Sequence, residues 1–278
     1  MIYLILAIFS SAMIAIIMRL AQPRVNNPTG LLASNYIVCT ITALILSIPE
    51  LRGVSLQRLG FPMGLGTVNG LIYLSGFALM QWSTRHNGVV LSSIFMKLGI
   101  LVSMLISVLW FREMPTGLQT VGFVLAVAAI VIINYTKGTA LTRSSWVLLL
   151  MLCMSGMGDV MSKVYEVYGD PGFQNLFLMF TFLAALILCL GLMVYKKERL
   201  GMQELMFGLL LGVPNFLCSL FILKALGTIP GVIVFPTYSV ATILVVALAG
   251  LLVFREKLSK KQLIGAALIC VALALLNL

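Results

Sequence analysis

Charged side chains are scarce in this sequence. Of its 278 residues, 9% are Asp, Glu, Lys or Arg and 61% are hydrophobic. No ordinary soluble domain combines so much apolar surface with so few charges. The single histidine is His86, and the sequence contains no HExxH, no GxSxG, no acidic metal-ligand cluster and no nucleotide-binding GxxxxGKS/T loop. We therefore expect no enzymatic activity, no catalytic residue, no metal and no cofactor.

Cysteine is also sparse, with five residues in the chain. All of them fall inside apolar runs, and no CxxC pair or neighbouring histidine set accompanies them. This pattern supports neither a disulfide framework nor a zinc site. The cysteines are interpreted as small apolar packing residues: Cys39, Cys153, Cys189, Cys218 and Cys270.

Long apolar runs make up most of the remaining chain. Because a helix needs about 20 apolar residues to cross the hydrocarbon layer, the sequence predicts an all-α integral membrane protein with ten transmembrane helices. The predicted spans are residues 2–20, 29–48, 62–82, 88–110, 117–135, 145–163, 173–195, 203–225, 231–254 and 260–277. No Lys or Arg precedes the first run, so we expect it to be a retained helix rather than a signal peptide.

The net charge of +10 comes mainly from short loops between the predicted spans. Basic residues in that arrangement indicate topology, not a nucleic-acid partner. Twelve loop lysines and arginines fall on one side of the predicted bilayer and five on the other. The positive-inside rule places the richer side in the cytoplasm, so we expect both termini outside the cell (inner) membrane.

The sequence resembles itself at an offset of 143 residues. The segment LWFREM at 109–114 aligns with LVFREK at 252–257, and the flanking spans align without a gap. Further upstream, Gly66-x-x-Asn69 resembles Gly212-x-x-Asn215 once three residues are dropped from a loop. The chain is therefore predicted to consist of two five-helix repeats.

The repeats are assigned to residues 1–139 and 140–278. An odd number of spans per half makes the second half enter the membrane from the opposite side. Such inverted repeats are common in secondary transporters, which bind substrate near the midplane between the halves.

With this repeat, the sequence resembles the drug/metabolite transporter superfamily, in particular its ten-helix members built from two EamA-type halves. The resemblance is carried by the paired FRE segments, each followed by a glycine (Gly122 and Gly265), by GVPNFLCSLFILKAL at 212–226, and by the ten-span pattern. It implies an alternating-access carrier with a central cavity lined by helices 1, 3, 4, 6, 8 and 9. Many ten-helix relatives have both termini in the cytoplasm, whereas the loop charges here predict the reverse.

Lys97 lies near the middle of the predicted fourth span. A charge there costs between about 2.5 and 17 kcal/mol, so it usually has a task or a partner. It lies about 15 Å from either helix end, too far for the side chain to reach the interface. Ser93 shares its face, and a neighbouring stripe of Ser92, Gly99, Ser103 and Ser107 is expected to pack closely on another helix. A substrate ligand in the cavity and a structural ion pair both explain Lys97.

Asp159 is the only carboxylate well inside a predicted span. Lys163 follows one helical turn later, and an i, i+4 ion pair between them is one explanation. The alternative is that Asp159 faces the cavity, where it neutralises Lys97 or carries a proton during transport.

Other polar residues inside the spans extend the candidate site. Pro236 and Pro214 are expected to kink or interrupt their helices, which would free carbonyls toward a cavity. Interhelical hydrogen bonds explain the asparagines equally well, and the FRE segments at 111–113 and 254–256 are expected to anchor helix ends. The predicted substrate-binding residues are Lys97, Ser93, Asn69, Tyr73, Asp159, Asn215, Thr237 and Tyr238.

Together these patterns predict a secondary active transporter. The expected substrate is a small organic anion or a zwitterion such as an amino acid, moved by alternating access. A coupling proton or ion is an expected partner besides the substrate and the bilayer, and the protein is expected to be a monomer or a homodimer. The alternatives are a flippase for a lipid-linked or amphiphilic substrate and an exporter of cationic drugs.

Overall fold

The structure, a computed structural model, describes residues 1–51, 56–87, 92, 95–134, 145–252 and 260–278. Within these ranges the chain forms α-helices and one short 3₁₀ turn, Pro171–Phe173, and contains no strand. The helices are α1 (Ile2–Ala21), α2 (Pro28–Ser47), α3 (Leu56–Asn87), α4 (Ile100–Leu109), α5 (Gly117–Asn134), α6 (Ser145–Tyr168), α7 (Gln174–Lys196), α8 (Met202–Leu226), α9 (Gly231–Leu252) and α10 (Lys260–Leu276). The all-helical prediction is confirmed.

Most of these helices are long and apolar enough to cross a membrane. Seven helices in the described ranges meet that condition, namely α1, α2, α3, α6, α7, α8 and α9. The shorter apolar helices Phe95–Leu109, Gly117–Ile132 and Leu263–Leu276 account for the other three predicted spans. A helix satisfies its backbone hydrogen bonds internally, so it suits the bilayer. The orientation predicted from loop charges stays a prediction, since several loops lie outside the described residues.

The helices form two compact units, and each unit draws on both ends of the chain. The first unit comprises residues 1–74 and 161–227, and the second comprises residues 75–160 and 228–278. Helices α3 and α6 contribute one part to each unit. The division into repeats at 1–139 and 140–278, and the inverted relation between them, stay predictions.

In the first unit, glycines on α8 let that helix pack directly against α2. A Cβ added to Gly208 would meet the side chain of Ser34, and it would lie 2.6 Å from the carbonyl oxygen of Leu31. A Cβ added to Gly212, one turn later, would lie 2.9 Å from the carbonyl oxygen of Asn35. Small residues at this spacing allow two backbones to approach closely in lipid.

Helix α3 packs on α7 in the same manner. A Cβ added to Gly66 would lie 2.6 Å from the carbonyl oxygen of Phe177 and 2.9 Å from the Cβ of Phe180. Gly208 meets the same arrangement on α2, namely a carbonyl oxygen and the Cβ of the residue three positions later. Gly212 meets the same arrangement, the carbonyl oxygen of Asn35 and the Cβ of Val38, so these contacts agree with the sequence alignment of Gly66 with Gly212.

The second unit packs α5 against α10 through small and branched side chains. Its fully buried residues include Ala126, Ala129, Ile130, Ile269 and Ala272. A Cβ on Gly122 would lie 3.1 Å from the carbonyl oxygen of Ala272, so this glycine also marks a close approach. Helix α9 packs on α4 and α10 in the same unit.

Glu113 joins the end of α4 to the start of α9. Arg112 adopts a left-handed conformation with φ of 55°, which is uncommon for a residue with a Cβ. The next residue is Glu113. Its Oε2 accepts a hydrogen bond of 3.1 Å from the backbone N–H of Val232, so the carboxylate caps α9. The prediction that Arg112 and Glu113 anchor a helix end thus gains a specific partner; Arg255 and Glu256 lie outside the described residues.

Glu50 caps a second helix from a distance in sequence. Its carboxylate oxygens accept hydrogen bonds of 3.2 and 3.0 Å from the backbone N–H groups of Asn175 and Leu176, and one also accepts 2.7 Å from Asn175 Nδ2. These donors lie in the first turn of α7, where helical N–H groups have no internal partner. Burial raises the pKa of Glu50, although the donors from Leu176 and Asn175 oppose that rise.

We expect Glu50→Gln to change the pH dependence of stability. Because the folded-state pKa of Glu50 is raised, ionising it costs folding free energy. The wild type should therefore lose stability relative to Glu50→Gln as the pH rises from the ordinary value of 4.5 through the raised one. Unfolding temperatures of both proteins in detergent across that range provide the measurement.

Glu50→Ala serves as the control for the cap itself. It removes both acceptor oxygens, so it should be less stable than the wild type by about 1 kcal/mol. A wild type that gains stability relative to Glu50→Gln as the pH rises would contradict the expectation.

The five cysteines are all free, as predicted. Cys39, Cys189 and Cys218 are buried, Cys153 is half-buried and Cys270 is exposed. In the described ranges, no group of His, Cys, Asp and Glu side chains could hold a metal ion.

Candidate functional site

The two units divide the predicted substrate residues between them. Asn69, Tyr73 and Asn215 belong to the first unit, while Lys97, Asp159, Thr237 and Tyr238 belong to the second. Ser93 lies outside the described residues. Each group is considered within its own unit.

In the first unit, the asparagines connect helices. Asn215 Nδ2 donates to Asn35 Oδ1 at 3.3 Å, which joins α8 to α2. Asn69 Nδ2 donates to Thr181 Oγ1 at 3.4 Å, which joins α3 to α7. These bonds match the interhelical alternative left open by the sequence. Tyr73 is 37% exposed.

In the second unit, Thr237 joins α9 to α10. Its buried hydroxyl accepts a hydrogen bond of 3.4 Å from Asn277 Nδ2. Helix α9 continues through Pro236, and α8 continues through Pro214. These helices are therefore not interrupted at the prolines, and the kink that the sequence also predicted stays a prediction. Pro236 lies in the second turn of α9, where its missing N–H removes only one hydrogen bond near the helix start.

The break occurs in the fourth helical segment instead, next to Lys97. Residues 95–97 are helical, Leu98 and Gly99 form a turn, and α4 begins at Ile100. The N–H of Leu101 donates to the carbonyl of Leu98 at 2.9 Å, three residues back. In an α-helix it would reach the carbonyl of Lys97. The span predicted at 88–110 therefore contains a local 3₁₀-type turn at this point, although Gly99 keeps right-handed helical dihedrals with φ of −51° and ψ of −26°.

The break coincides with a close approach between the fourth helical segment and α6. A Cβ on Gly99 would lie 2.8 Å from the backbone nitrogen of Gly156, and a Cβ on Gly156 would meet the carbonyl oxygen of Gly99. Ser155 Oγ donates to the carbonyl of Met96 at 2.8 Å. The Met96 carbonyl also accepts a hydrogen bond of 3.2 Å from the N–H of Gly99, so the hydroxyl adds a second bond that joins α6 to the turn. The predicted packing role of Gly99 is thus observed.

Lys97 lies on a different face from this contact. It is two residues from Gly99, and residues at that spacing do not share a helix face. Its side chain is exposed. Among the described residues, the ammonium group has no hydrogen bond and no ion pair, including none with Asp159. The structural ion pair considered for Lys97 is therefore not found in this part of the chain.

Asp159 also lacks the partner that the sequence offered. Lys163 Nζ instead lies 2.7 Å from Glu166 Oε2, an i, i+3 pair that is largely buried. Asp159 is half-buried on α6 and makes no hydrogen bond or ion pair within the described ranges. The Asp159–Lys163 pair, one of the two explanations that the sequence left open, is not found among the described residues, since a lysine on a helix can reach either its i+3 or its i−4 neighbour.

A groove between α3 and α6 in the second unit is apolar. It has a volume of about 520 Å³ and is lined by Ser75, Ala78, Leu79, Trp82, Leu150 and Met154. The lining offers one hydroxyl and no charge. The groove therefore does not provide the polar groups that a charged metabolite needs.

Comparison with known proteins supplies the family. The sequence model of the EamA-like transporter family matches residues 1–135 and 143–278. The chain belongs to the EamA-like transporter family. The two matched segments cover both halves of the chain, in agreement with the predicted repeat. The resemblance to ten-helix drug/metabolite transporters is thereby confirmed, and this family comprises multi-pass membrane transporters rather than enzymes.

Two individual proteins resemble this EamA-like chain over most of their length. A protein of Haemophilus influenzae, described as uncharacterized, is 27% identical over 273 residues, which cover 94% of this chain and 92% of that protein. A solved crystal structure matches 99% of this chain and 94% of its own, with a TM-score of 0.80 and 15% identity. That likeness shows the fold alone.

The helix break and the two capping carboxylates are features of this EamA-like protein that sequence reasoning missed. A signal existed for the break, since Gly99 follows the polar pair Ser92-Ser93 and Lys97 within one apolar run. For Glu50 and Glu113 no local signal identifies the capped helix. Their partners lie more than a hundred residues away along the chain.

Proposed function

We propose that this protein is a secondary transporter that moves a small organic anion or zwitterion across the cell (inner) membrane by alternating access. The observation that carries the proposal is Lys97. Its ammonium has no polar partner among the described residues, and it lies within an apolar helical segment. An unpaired charge is costly there. A substrate carboxylate or phosphate would compensate it.

The local backbone supports binding at this position. At the turn of Leu98 and Gly99 the N–H of Leu101 bonds to the Leu98 carbonyl instead of the Lys97 carbonyl, so among the described residues a charged side chain and a backbone acceptor without its helical donor occur at one residue. Discontinuous helices are where transporters commonly bind substrates and ions. Lysine acts as a point charge, so it tolerates several anionic groups.

The repeat supports alternating access. The α2–α8 and α3–α7 contacts use the same arrangement of glycines. Each contact also contains an asparagine hydrogen bond, from Asn215 in the first and from Asn69 in the second. In transporters built from inverted repeats, such equivalent contacts allow the two sides to exchange roles. Under this proposal the substrate binds near the middle of the membrane, beside the break in the fourth helical segment.

A thermal-shift screen of the purified wild type tests the substrate class. The compounds are amino acids, organic acids, sugar phosphates, cationic drugs and short-chain lipid-linked sugars. A ligand at 100 times its dissociation constant adds about 2.7 kcal/mol to apparent stability. We expect stabilisation by compounds that carry a carboxylate or phosphate. Stabilisation by cationic drugs alone, or by the lipid-linked sugars alone, would refute the proposal in favour of an exporter or a flippase.

A further inference from the structure

Asp159 is a second ionisable group in the membrane-spanning part that pairing does not explain. Ser155 and Lys163, four residues before and four residues after it on α6, are both engaged elsewhere. Ser155 donates to the Met96 carbonyl, and Lys163 is paired with Glu166. The Asp159 carboxyl group makes no hydrogen bond or ion pair within the described ranges. An isolated carboxylate in hydrocarbon takes up a proton instead of staying charged.

Its position separates it from Lys97. Asp159 follows Ser155 by four residues, so it continues the face of α6 that contacts the fourth helical segment, about 6 Å further along the axis. A Cβ on Gly156, on the same face, would lie 2.6 Å from the Cβ of Val102. Lys97 lies on another face of its segment. The acid and the ammonium therefore occupy different surroundings within the second unit.

Among the described residues of the helices that pack on α6 in the second unit, few carry a charge. Helices α3 and α4 both pack on α6 there. The ionisable residues of α3 between 75 and 87 are Arg85 and His86, in its last turn, and His86 Nδ1 lies 2.9 Å from the carbonyl oxygen of Trp82. The fourth helical segment carries Lys97, and α4 itself carries no charge between Ile100 and Leu109. Asp159 is thus placed to bind and release a proton with little competition from neighbouring charges.

We infer that Asp159 is the proton-carrying residue that couples transport to a proton gradient. The carboxylate takes up a proton from water on one side of the membrane. It stays a neutral acid while the site is closed to both sides, and it then returns the proton to water on the other side. A neutral acid avoids the cost of moving a bare charge through hydrocarbon. This inference rests on the proposed transport function and assigns it a coupling ion.

Infrared spectroscopy of the protein in lipid nanodiscs tests the proton directly. At neutral pH the wild type should show a carboxylic-acid C=O signal that Asp159→Asn removes. Asp159→Glu should keep an acid signal at a shifted frequency. Asp170→Asn is the matched control, because Asp170 is exposed and its Oδ1 accepts from the backbone N–H of Gly172 outside the spans. An acid signal that is undiminished in Asp159→Asn, or the absence of any acid signal in the wild type, overturns the inference.

A second measurement separates coupling from transport. Proteoliposomes with a trapped pH-sensitive dye receive the amino acids, organic acids and sugar phosphates of the screen, one compound at a time, and the same compounds are tested for thermal shift. We expect proton flux in the wild type and a loss of at least tenfold in Asp159→Asn, with the thermal shift unchanged. A thermal shift without any wild-type proton flux, or equal flux in Asp159→Asn, overturns the role of Asp159 alone. The absence of both responses in the wild type overturns the proposed substrate class and with it the coupling.

Discussion

Replacing Lys97 with methionine should abolish the stabilisation that anionic and zwitterionic compounds give to the wild type. The substitution keeps a long unbranched side chain and removes only the ammonium. Hydrogen bonds to charged groups contribute about 1.5 to 3 kcal/mol, which corresponds to binding weaker by about tenfold to 100-fold. Lys97→Arg keeps the charge on a larger, planar group, so it should retain part of the affinity. Thermal-shift titrations and uptake into proteoliposomes measure both effects.

The same variant carries a second expectation about stability. Removing an uncompensated charge from the membrane-spanning part should raise the unfolding temperature of Lys97→Met without ligand, because the folded protein no longer bears that cost. Gains in stability at the expense of function are typical of binding-site residues. A structural lysine would give the opposite result, since breaking its pair would lower stability.

Lys196→Met is the matched control for Lys97→Met. Lys196 ends α7, and its side chain is 34% exposed and 4.0 Å from Glu198. An exposed pair of this kind contributes little to stability. Lys196→Met should therefore respond to ligands as the wild type does. Equal ligand responses in the wild type and Lys97→Met would show that the charge of Lys97 plays no part in binding.

The sequence predicted the helices well because their apolar runs have the length that a bilayer requires. Its boundaries were less accurate where a helix extends beyond the apolar core. The third span was predicted at 62–82, whereas α3 runs from Leu56 to Asn87, and the sixth was predicted at 145–163, whereas α6 continues to Tyr168. Hydropathy detects the part of a helix in hydrocarbon, while polar turns at either end have no such signal.

The polar contacts of the candidate site were harder to predict because they depend on which helices meet. Lys163 can reach Asp159 or Glu166 from its own helix, and only the folded structure shows that it bonds to Glu166. The break at Gly99 similarly depends on α6, whose Gly156 and Ser155 occupy the space beside it. A single sequence contains these residues but does not show that they are neighbours.

Gly156→Ala should destabilise the protein, and its effect should be centred on the break beside Lys97. The added methyl group would meet the carbonyl oxygen of Gly99 and would lie 2.6 Å from the Cβ of Val102. One of these obstacles is backbone, so the fourth helical segment and α6 would have to move apart. Overpacking of this kind costs about 1 to 3 kcal/mol. Separation would also lengthen the 2.8 Å bond from Ser155 Oγ to the Met96 carbonyl.

Gly191→Ala provides the matched control, since a Cβ at that position in α7 would meet nothing within 4 Å. Alanine is a better helix former than glycine by about 1 kcal/mol. Gly191→Ala should therefore leave the unfolding temperature unchanged or raise it, while Gly156→Ala lowers it and weakens ligand binding at Lys97. Equal unfolding temperatures in the two variants would show that the close approach of α6 to Gly99 does not exclude a side chain at Gly156. Suppose instead that Gly156→Ala loses stability but keeps its ligand affinity. The contact between Gly156 and Gly99 would then not be needed for binding, because the turn that presents Lys97 would keep its shape without it.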